Sequence, residues 1–400
     1  MIGVTQSAVR TFKCNERVYG TIASRMADAH AVEIARQDPP ALRLLHPDVD
    51  ADVLPRLHEA PVSHPLVPLG GLLGPYRATN NIPGISVAMV GNGTTVYRRG
   101  FGWAEVDQQK AAHGETVYLA ASVSKVIGGT LAAKLEDEGQ LADGTPVALD
   151  LTDPTSTYVA NLPAAHSHTV QDLLAHLGRL WHYSTGPEPP GGFYSTATNA
   201  MQQIWNTPPL AGCTIGVSRH YSTHGFTFVG AVLEQATGRP IDRLVKEEIA
   251  ERYGLSSLRA QFETSSLPSN YERAAPYNDA GFETSYEDSS WKVLGGGIEV
   301  SAVDLADFGW KTLNAQIVDA AARDNRLWTR VRSTQPNGLA WEVRSVGGKR
   351  VAEHGSSWSG ARSHLRVYRD DGLVIAILSN RRGHDPSVLA TSLGDEILNP

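Results

Sequence analysis

The chain has 400 residues, 41% of them hydrophobic and 19% charged, the balance of an ordinary globular protein of one large or two compact units. Its net charge is −7 with no basic block, which excludes nucleic acid as the main partner. No apolar stretch approaches the roughly 20 residues of a membrane-spanning helix, and Cys14 and Cys213 sit far apart in no metal or redox spacing. A single bridge between them stays open, with an unbridged pair as the expectation.

Met1 to Gln6 lack the charged start and apolar core of a secretion signal. The expectation is a cytoplasmic protein if the chain is complete, and a secreted or periplasmic one if a leader has been removed. Residues 1–65 are poorly patterned, with scattered His and Pro such as His46-Pro47-Asp48 and His58, and are expected to form an arm or extension. Ile85 to Val90 alternates as a strand does, Gly91-Asn92-Gly93 is a hairpin turn, and Thr94 to Arg98 alternates again. A helix then runs through Val126, Ile127, Leu131, Ala132 and Leu135 and stops at Gly139. Thr169-Val170-Gln171-Asp172 is a capping box opening on Leu173-Leu174, and a further helix carries Val229, Val232, Leu233 and Ala236 to Gly238. Strand patterns return at Ala340 to Arg344, Leu365 to Tyr368 and Leu373 to Leu378, the last pair joined by Asp370-Asp371-Gly372. Asp385-Pro386 opens a final helix with Val388, Leu389 and Leu393 as its apolar positions. This order predicts an α/β (α+β) fold: one antiparallel sheet built from both chain ends and flanked by helices, with an inserted, mainly helical subdomain. The expected sheet domain is 66–150 with 291–400, the expected insert is 151–290, and a site belongs in the cleft between them.

Three segments carry chemistry. In Ser122-Val123-Ser124-Lys125 a hydroxyl and an amine stand three residues apart at the start of a helix, hence on one face and roughly 5–6 Å apart at Cβ. A serine needs a neighbouring base to act as a nucleophile, and a lysine becomes one when burial or nearby charge lowers its pKa. A nucleophile in a first turn also has a free backbone N–H for an oxyanion. The same spacing recurs at Ser289-Ser290-Trp291-Lys292, but Glu287-Asp288 before it and Gly295-Gly296-Gly297 after it predict no helix there. The second segment is Tyr221-Ser222-Thr223: a phenol beside a lysine ammonium is expected to ionise below its free pKa of about 10 and shuttle protons, and Thr223 is expected to bond a substrate amide. The third is His354-Gly355-Ser356-Ser357-Trp358-Ser359-Gly360, whose small residues let backbone approach a ligand and whose strand edge offers a second oxyanion N–H. His166/His168 and His220/His224 lack a third ligand at matching spacing, so no metal is expected. Trp181, Trp205 and Trp358 are candidates to line an acyl pocket, with a surface or core role equally open for the first two.

In this order the three segments resemble the serine β-lactamase-like, penicillin-recognising family, which comprises class C β-lactamases, DD-peptidases, D-aminopeptidases and family VIII esterases. Its marks are S-x-x-K, then Y-x-N or Y-x-S, then K-T-G or H-x-G. Asn81 to Ala88 is similar to its opening strand, Leu173 to His176 to its L-L-x-H stretch, and Gly295 to Ala306 to its G-G-x-x-S-T-x-x-D-L-A segment. The resemblance implies a serine hydrolase without a cofactor or metal that acts on a small ester, amide or lactam. Ser122 would be the acylated nucleophile and Lys125 its base partner, while Tyr221 would relay the proton to the leaving group and activate water. The N–H groups of Ser122 and Ser357 would form the oxyanion hole. His354 would stand where relatives hold a carboxylate with Lys, beside Thr223 and Trp358 in substrate binding. Thr223, Ser356 and Leu177-Gly178-Arg179 depart from the usual pattern, and a neutral histidine is a weak carboxylate anchor. Esterase or D-amino-acid peptidase activity is therefore expected over β-lactamase activity, the alternatives being a penicillin-binding sensor with negligible turnover or a true β-lactamase.

Overall fold

The computed structural model of the protein describes residues 69–263 and 267–398. The expected arm and Cys14 lie outside them. Helix α1 (Gly70–Thr79) leads into β1 (Gly84–Gly91), β2 (Thr94–Glu105) and β3 (Lys110–Ala111). Strand β4 (Val117–Leu119) runs into a 3-10 turn (Ala121–Val123) and α2 (Ser124–Glu138). There follow α3 (Val170–Leu174), α4 (Ala197–Gln202), α5 (His224–Thr237) and α6 (Ile241–Val245), then β5 (Arg259–Ala260), β6 (Ile298–Ser301) and α7 (Ala302–Leu313). The chain finishes with β7 (Glu342–Val346), β8 (Lys349–Gly355), β9 (Arg362–Tyr368), β10 (Leu373–Ser379) and α8 (Pro386–Leu398).

The main sheet has the order β3-β2-β1-β10-β9-β8-β7 and is antiparallel throughout. Its two halves come from opposite ends of the described chain and meet where β1 pairs β10, from Ile85 opposite Ser379 to Gly91 opposite Leu373. Because side chains alternate across a strand, these central strands feed two cores. Ile85, Val87, Met89, Ile375 and Ile377 pack with Leu73 of α1 and Leu389 and Leu393 of α8. Ala88, Val90, Ala376 and Leu378 face the other way, toward Val126 and Leu131 of α2 and Leu305 and Phe308 of α7. Helices thus cover both faces. No helix among the described residues is long and apolar enough to cross a membrane.

Several local expectations are corrected. Val388 is 59% exposed, because Leu389, Ala390 and Leu393 take the inner face of α8. The segment after Ser289 does become helical, as a 3-10 turn (Ser290–Lys292) followed by one α-turn (Val293–Gly296). Its glycines allow this by fitting under neighbours: Leu294 lies against Gly128 of α2, and Gly296 against the backbone of Ala121. A second, three-stranded sheet, β4-β6-β5, escaped the sequence pattern. Cys213 is disulfide-bonded rather than free. The capping box at Thr169 forms as expected, with Asp172 N–H donating to Thr169 Oγ1 at 3.0 Å. Helix α2 is tied to the residues after α6 by an ion pair between Lys134 and Glu248 at 2.7 Å, exposed by 0% and 2%.

Candidate active site

Ser122 sits in the turn between β4 and α2, held from two sides. Ala120 N–H donates to Ile298 O of β6 at 2.8 Å, and Ser363 Oγ of β9 donates to Ala120 O at 2.6 Å. Between them Ala121 is left-handed at φ 46°, a conformation that costs an alanine roughly 1–2 kcal/mol and is held by those two bonds. The turn presents Ser122 Oγ to two groups. Lys125 Nζ lies 3.2 Å away, and Tyr221 O–H donates to Oγ at 2.8 Å. Tyr221 reaches it from the loop before α5, where Ser222 accepts from Gly225 N–H at 3.2 Å and donates to Trp181 O at 2.7 Å. His176 packs beneath the phenol ring at 4.4 Å between centroids.

Lys125 is fully buried. Its Nζ has three partners: Ser122 Oγ, Thr223 Oγ1 at 3.2 Å, and the carbonyl of Gly295. Burial pushes its pKa well below the ordinary 10.5, and the charge of Lys292 pushes it further down. A neutral amine has two N–H donors and one lone pair. Two hydrogens directed at Thr223 and Gly295 leave the lone pair for the Ser122 hydroxyl, the arrangement of a general base.

The phenol behaves otherwise than expected. Burial raises the Tyr221 pKa, and the bond to Ser122 lowers it by less. Tyr221 therefore stays protonated and serves as a donor. Thr223 also differs: its hydroxyl is buried and turned to Lys125, with His182 Nε2 at 3.4 Å, instead of facing a substrate amide. His354 is buried, and burial followed by the charge of Lys125 lowers its pKa to about 3. Its Nδ1 is 2.6 Å from Gly355 O, and a carbonyl only accepts, so Nδ1 carries the proton. Nε2 is then a bare acceptor, buried without a partner. Such a ring cannot hold a carboxylate; it suits a substrate N–H.

Along the third segment Ser356 N–H and Trp358 N–H bond across the hairpin to Ser363 O and Ala361 O, at 2.9 and 3.1 Å. Alternation directs the N–H of the exposed Ser357 to the opposite side, the edge beyond the last pair of β7 with β8, Glu342 with Glu353. Ser356 Oγ is spent on Ser363, accepting from its N–H at 2.7 Å. Trp358 is half-buried beside Tyr183, at 5.6 Å between ring centroids. Trp181 donates to Pro208 O at 3.0 Å and Trp205 packs on the main core. His166 Nε2 donates to Trp205 O at 2.6 Å, which leaves its Nδ1 to accept from His168 Nε2 at 3.3 Å. His224 Nε2 donates to Pro187 O at 2.7 Å.

Residues that sequence reasoning passed over stand close by. His182 stacks on Tyr221 at 5.5 Å, and burial brings its pKa to about 3. The Gly295 carbonyl is a direct partner of Lys125. Lys292, set aside with the second S-x-x-K, is buried here too. Gly295 has no room for a side chain: a Cβ there would come 2.7 Å from Thr223 Cγ2 and 3.1 Å from Thr223 O. Gly295→Ala is accordingly expected to push Thr223 and the carbonyl apart around Lys125. A tenfold or larger loss in kcat with the far-UV spectrum retained is the expected outcome, and unchanged kcat would mean that the amine does not depend on this packing.

An open antiparallel sheet flanked by helices, with a Ser–Lys–Tyr cluster at the head of the helix beside it, is the layout of the penicillin-recognising serine hydrolases. The chain belongs to the Beta-lactamase family, which it matches over residues 70–396. It is 26% identical to a D-aminopeptidase of Brucella anthropi over 318 residues, 75% of this chain and 56% of that protein. Against a D-aminopeptidase of Gluconobacter oxydans the identity is 24%, over 78% of this chain and 59% of that one. The chain thus spans a little over half the length of these curated relatives. Among solved structures, the fold is shared with a D-amino acid amidase from Ochrobactrum anthropi, at a TM-score of 0.69 and 17% identity, covering 83% of this chain and 98% of that one. It is shared too with an octameric penicillin-binding protein homologue from Pyrococcus abyssi, at a TM-score of 0.70 and 20% identity, covering 83% and 77%.

Proposed function

We propose that the chain hydrolyses an ester or amide bond of a small substrate through an acyl-enzyme on Ser122. The observation that carries this is the dehydrated Lys125 amine, held 3.2 Å from an Oγ that also accepts from Tyr221. As Oγ attacks the substrate carbonyl carbon, its proton passes to Lys125 Nζ and the new O–C bond forms. The carbonyl oxygen becomes an oxyanion against the N–H groups of Ser122 and Ser357. When the leaving group departs, the Tyr221 phenol protonates it and is reprotonated by the Lys125 ammonium. Water then attacks the ester on Ser122 by the reverse route, releasing the acid and the serine hydroxyl. Relatives named D-aminopeptidase, and a fold shared with a D-amino acid amidase, support substrates among D-amino-acid amides and short esters. The acceptor at His354 Nε2, fit for a substrate N–H, supports the same class and disfavours efficient β-lactam turnover.

The test is a panel of p-nitrophenyl esters, D- and L-alanyl anilides and a chromogenic cephalosporin, run on the wild type and on Ser122→Ala. Steady turnover of esters and D-anilides, slow cephalosporin turnover and loss of all three in the variant are expected. A single stoichiometric burst without turnover on every substrate would instead favour a penicillin-binding sensor. The pH dependence follows from the two shifts. Lys125 must be neutral, so kcat/KM rises through its depressed pKa and levels off well below the ordinary 10.5. Tyr221 must be protonated, so activity falls only above its ordinary 10.0. A kcat/KM still climbing between pH 8 and 10 would show an ordinary, hydrated lysine.

A further inference from the structure

Lys292 has an environment that its local sequence does not explain. The side chain is 3% exposed. Its Nζ lies 3.4 Å from the ring centroid of Trp358, 4.9 Å from that of Trp291 and 5.4 Å from that of Tyr183. Aromatic faces attract a cation but accept none of its three hydrogens as a carboxylate would. No hydrogen bond or ion pair to the ammonium exists among the described residues. The rings cover the stem while the nitrogen itself is not fully enclosed, so its hydrogens stay open to an anionic ligand. The ammonium is joined to the site through a chain of rings: Tyr183, on which it sits, lies 4.1 Å from His182, and His182 stacks on Tyr221 at 5.5 Å. Burial lowers Lys292 itself only to about 8, opposed by Glu287, Glu188 and Asp288, so it is mostly charged at pH 7.

We propose that Lys292, seated on the faces of Trp358, Trp291 and Tyr183, is the specificity residue that binds a carboxylate of the substrate. The proposal rests on the acyl-enzyme reading and narrows it. With His354 fixed as an acceptor, the third segment has no cation of its own for an anionic substrate, and Lys292 supplies one on the face of Trp358. Among the amides and short esters of the proposed class, the site then prefers members that carry a free carboxylate near the scissile bond.

Binding is measured apart from turnover, so that failure of this inference is distinct from failure of the acyl-enzyme. Tryptophan fluorescence, with Trp291 and Trp358 as reporters, follows titration with N-acetyl-D-alanine and with its neutral analogue N-acetyl-D-alaninamide. The acid is expected to bind about ten- to a hundredfold more tightly than the amide, the range of one hydrogen bond to a charged group. Lys292→Met should abolish that preference, and Lys292→Arg, which keeps the charge, should retain most of it. Equal affinities in the wild type would overturn the proposal. So would a preference that survives in Lys292→Met, or a loss in that variant that is the same for acid and amide.

Discussion

Ser122→Ala is expected to lower kcat on any ester or amide substrate by about 10³ or more, because removal of a nucleophile leaves only binding and oxyanion stabilisation. The loss should fall on kcat with KM little changed. Alanine removes one oxygen and leaves the bonds that seat the turn, Ala120 with Ile298 and Ser363 with Ala120, in place. The thermal midpoint should therefore stay near that of the wild type, which separates loss of chemistry from loss of fold. A fluorophosphonate should label Ser122 in the wild type, and peptide mapping that found the adduct on Ser289 or Ser357 would reject the assignment.

Lys125→Met should cost a comparable factor in kcat and leave a second signature in stability. In the native state burial holds the amine neutral at a pH where the unfolded chain, with an ordinary lysine near 10.5, carries the proton. The unfolded state then binds one more proton, so stability rises with pH between the depressed native pKa and 10.5, by about 1.4 kcal/mol per pH unit. Methionine has no proton to take up. The wild type should accordingly gain on Lys125→Met as pH rises from 7 to 9, measured by urea denaturation of both proteins. Parallel curves would mean that Lys125 is charged in the native state, and the general-base role would fail with it. Tyr221→Phe combined with Lys125→Met should be hardly slower than either change alone, since both groups handle one proton.

The parts legible in the sequence were those whose signal is local. Ile85 to Val90 and Leu373 to Leu378 showed as strands from composition and turn residues, and α2 showed from apolar spacing ended by a left-handed Gly139. The β4-β6-β5 sheet did not, because strands of two to four residues have no period to read and owe their pairing to partners distant in the chain. Ser122 and Lys125 are nameable from their spacing and Tyr221 from the family resemblance, and the structure brings their side chains within bonding distance. The environment of each was not. The expected fall in the phenol pKa assumed a neighbouring ammonium, whereas burial makes the lysine neutral and the tyrosine harder to ionise. Thr223 differs because its hydroxyl is engaged by the Lys125 amine, 98 residues earlier in the chain, a partner its local sequence does not name. The acids and glycines flanking Lys292 read as loop, yet those glycines form a helical turn whose Gly295 carbonyl bonds Lys125.

The partners that dry Lys125 come from three separate stretches, and the last of them lies 170 residues beyond it in the chain. At a synthesis rate of about 5–20 residues per second, a growing chain carries Ser122 and Lys125 for roughly 10–30 s before Gly295 is made. Through that interval the amine is hydrated and protonated, and the serine is an ordinary alcohol. Reactivity is thus acquired at the completion of tertiary structure, not with the residues that bear it. A chain truncated before Gly295 holds a complete S-x-x-K motif and is accordingly expected not to be labelled at Ser122 by a fluorophosphonate.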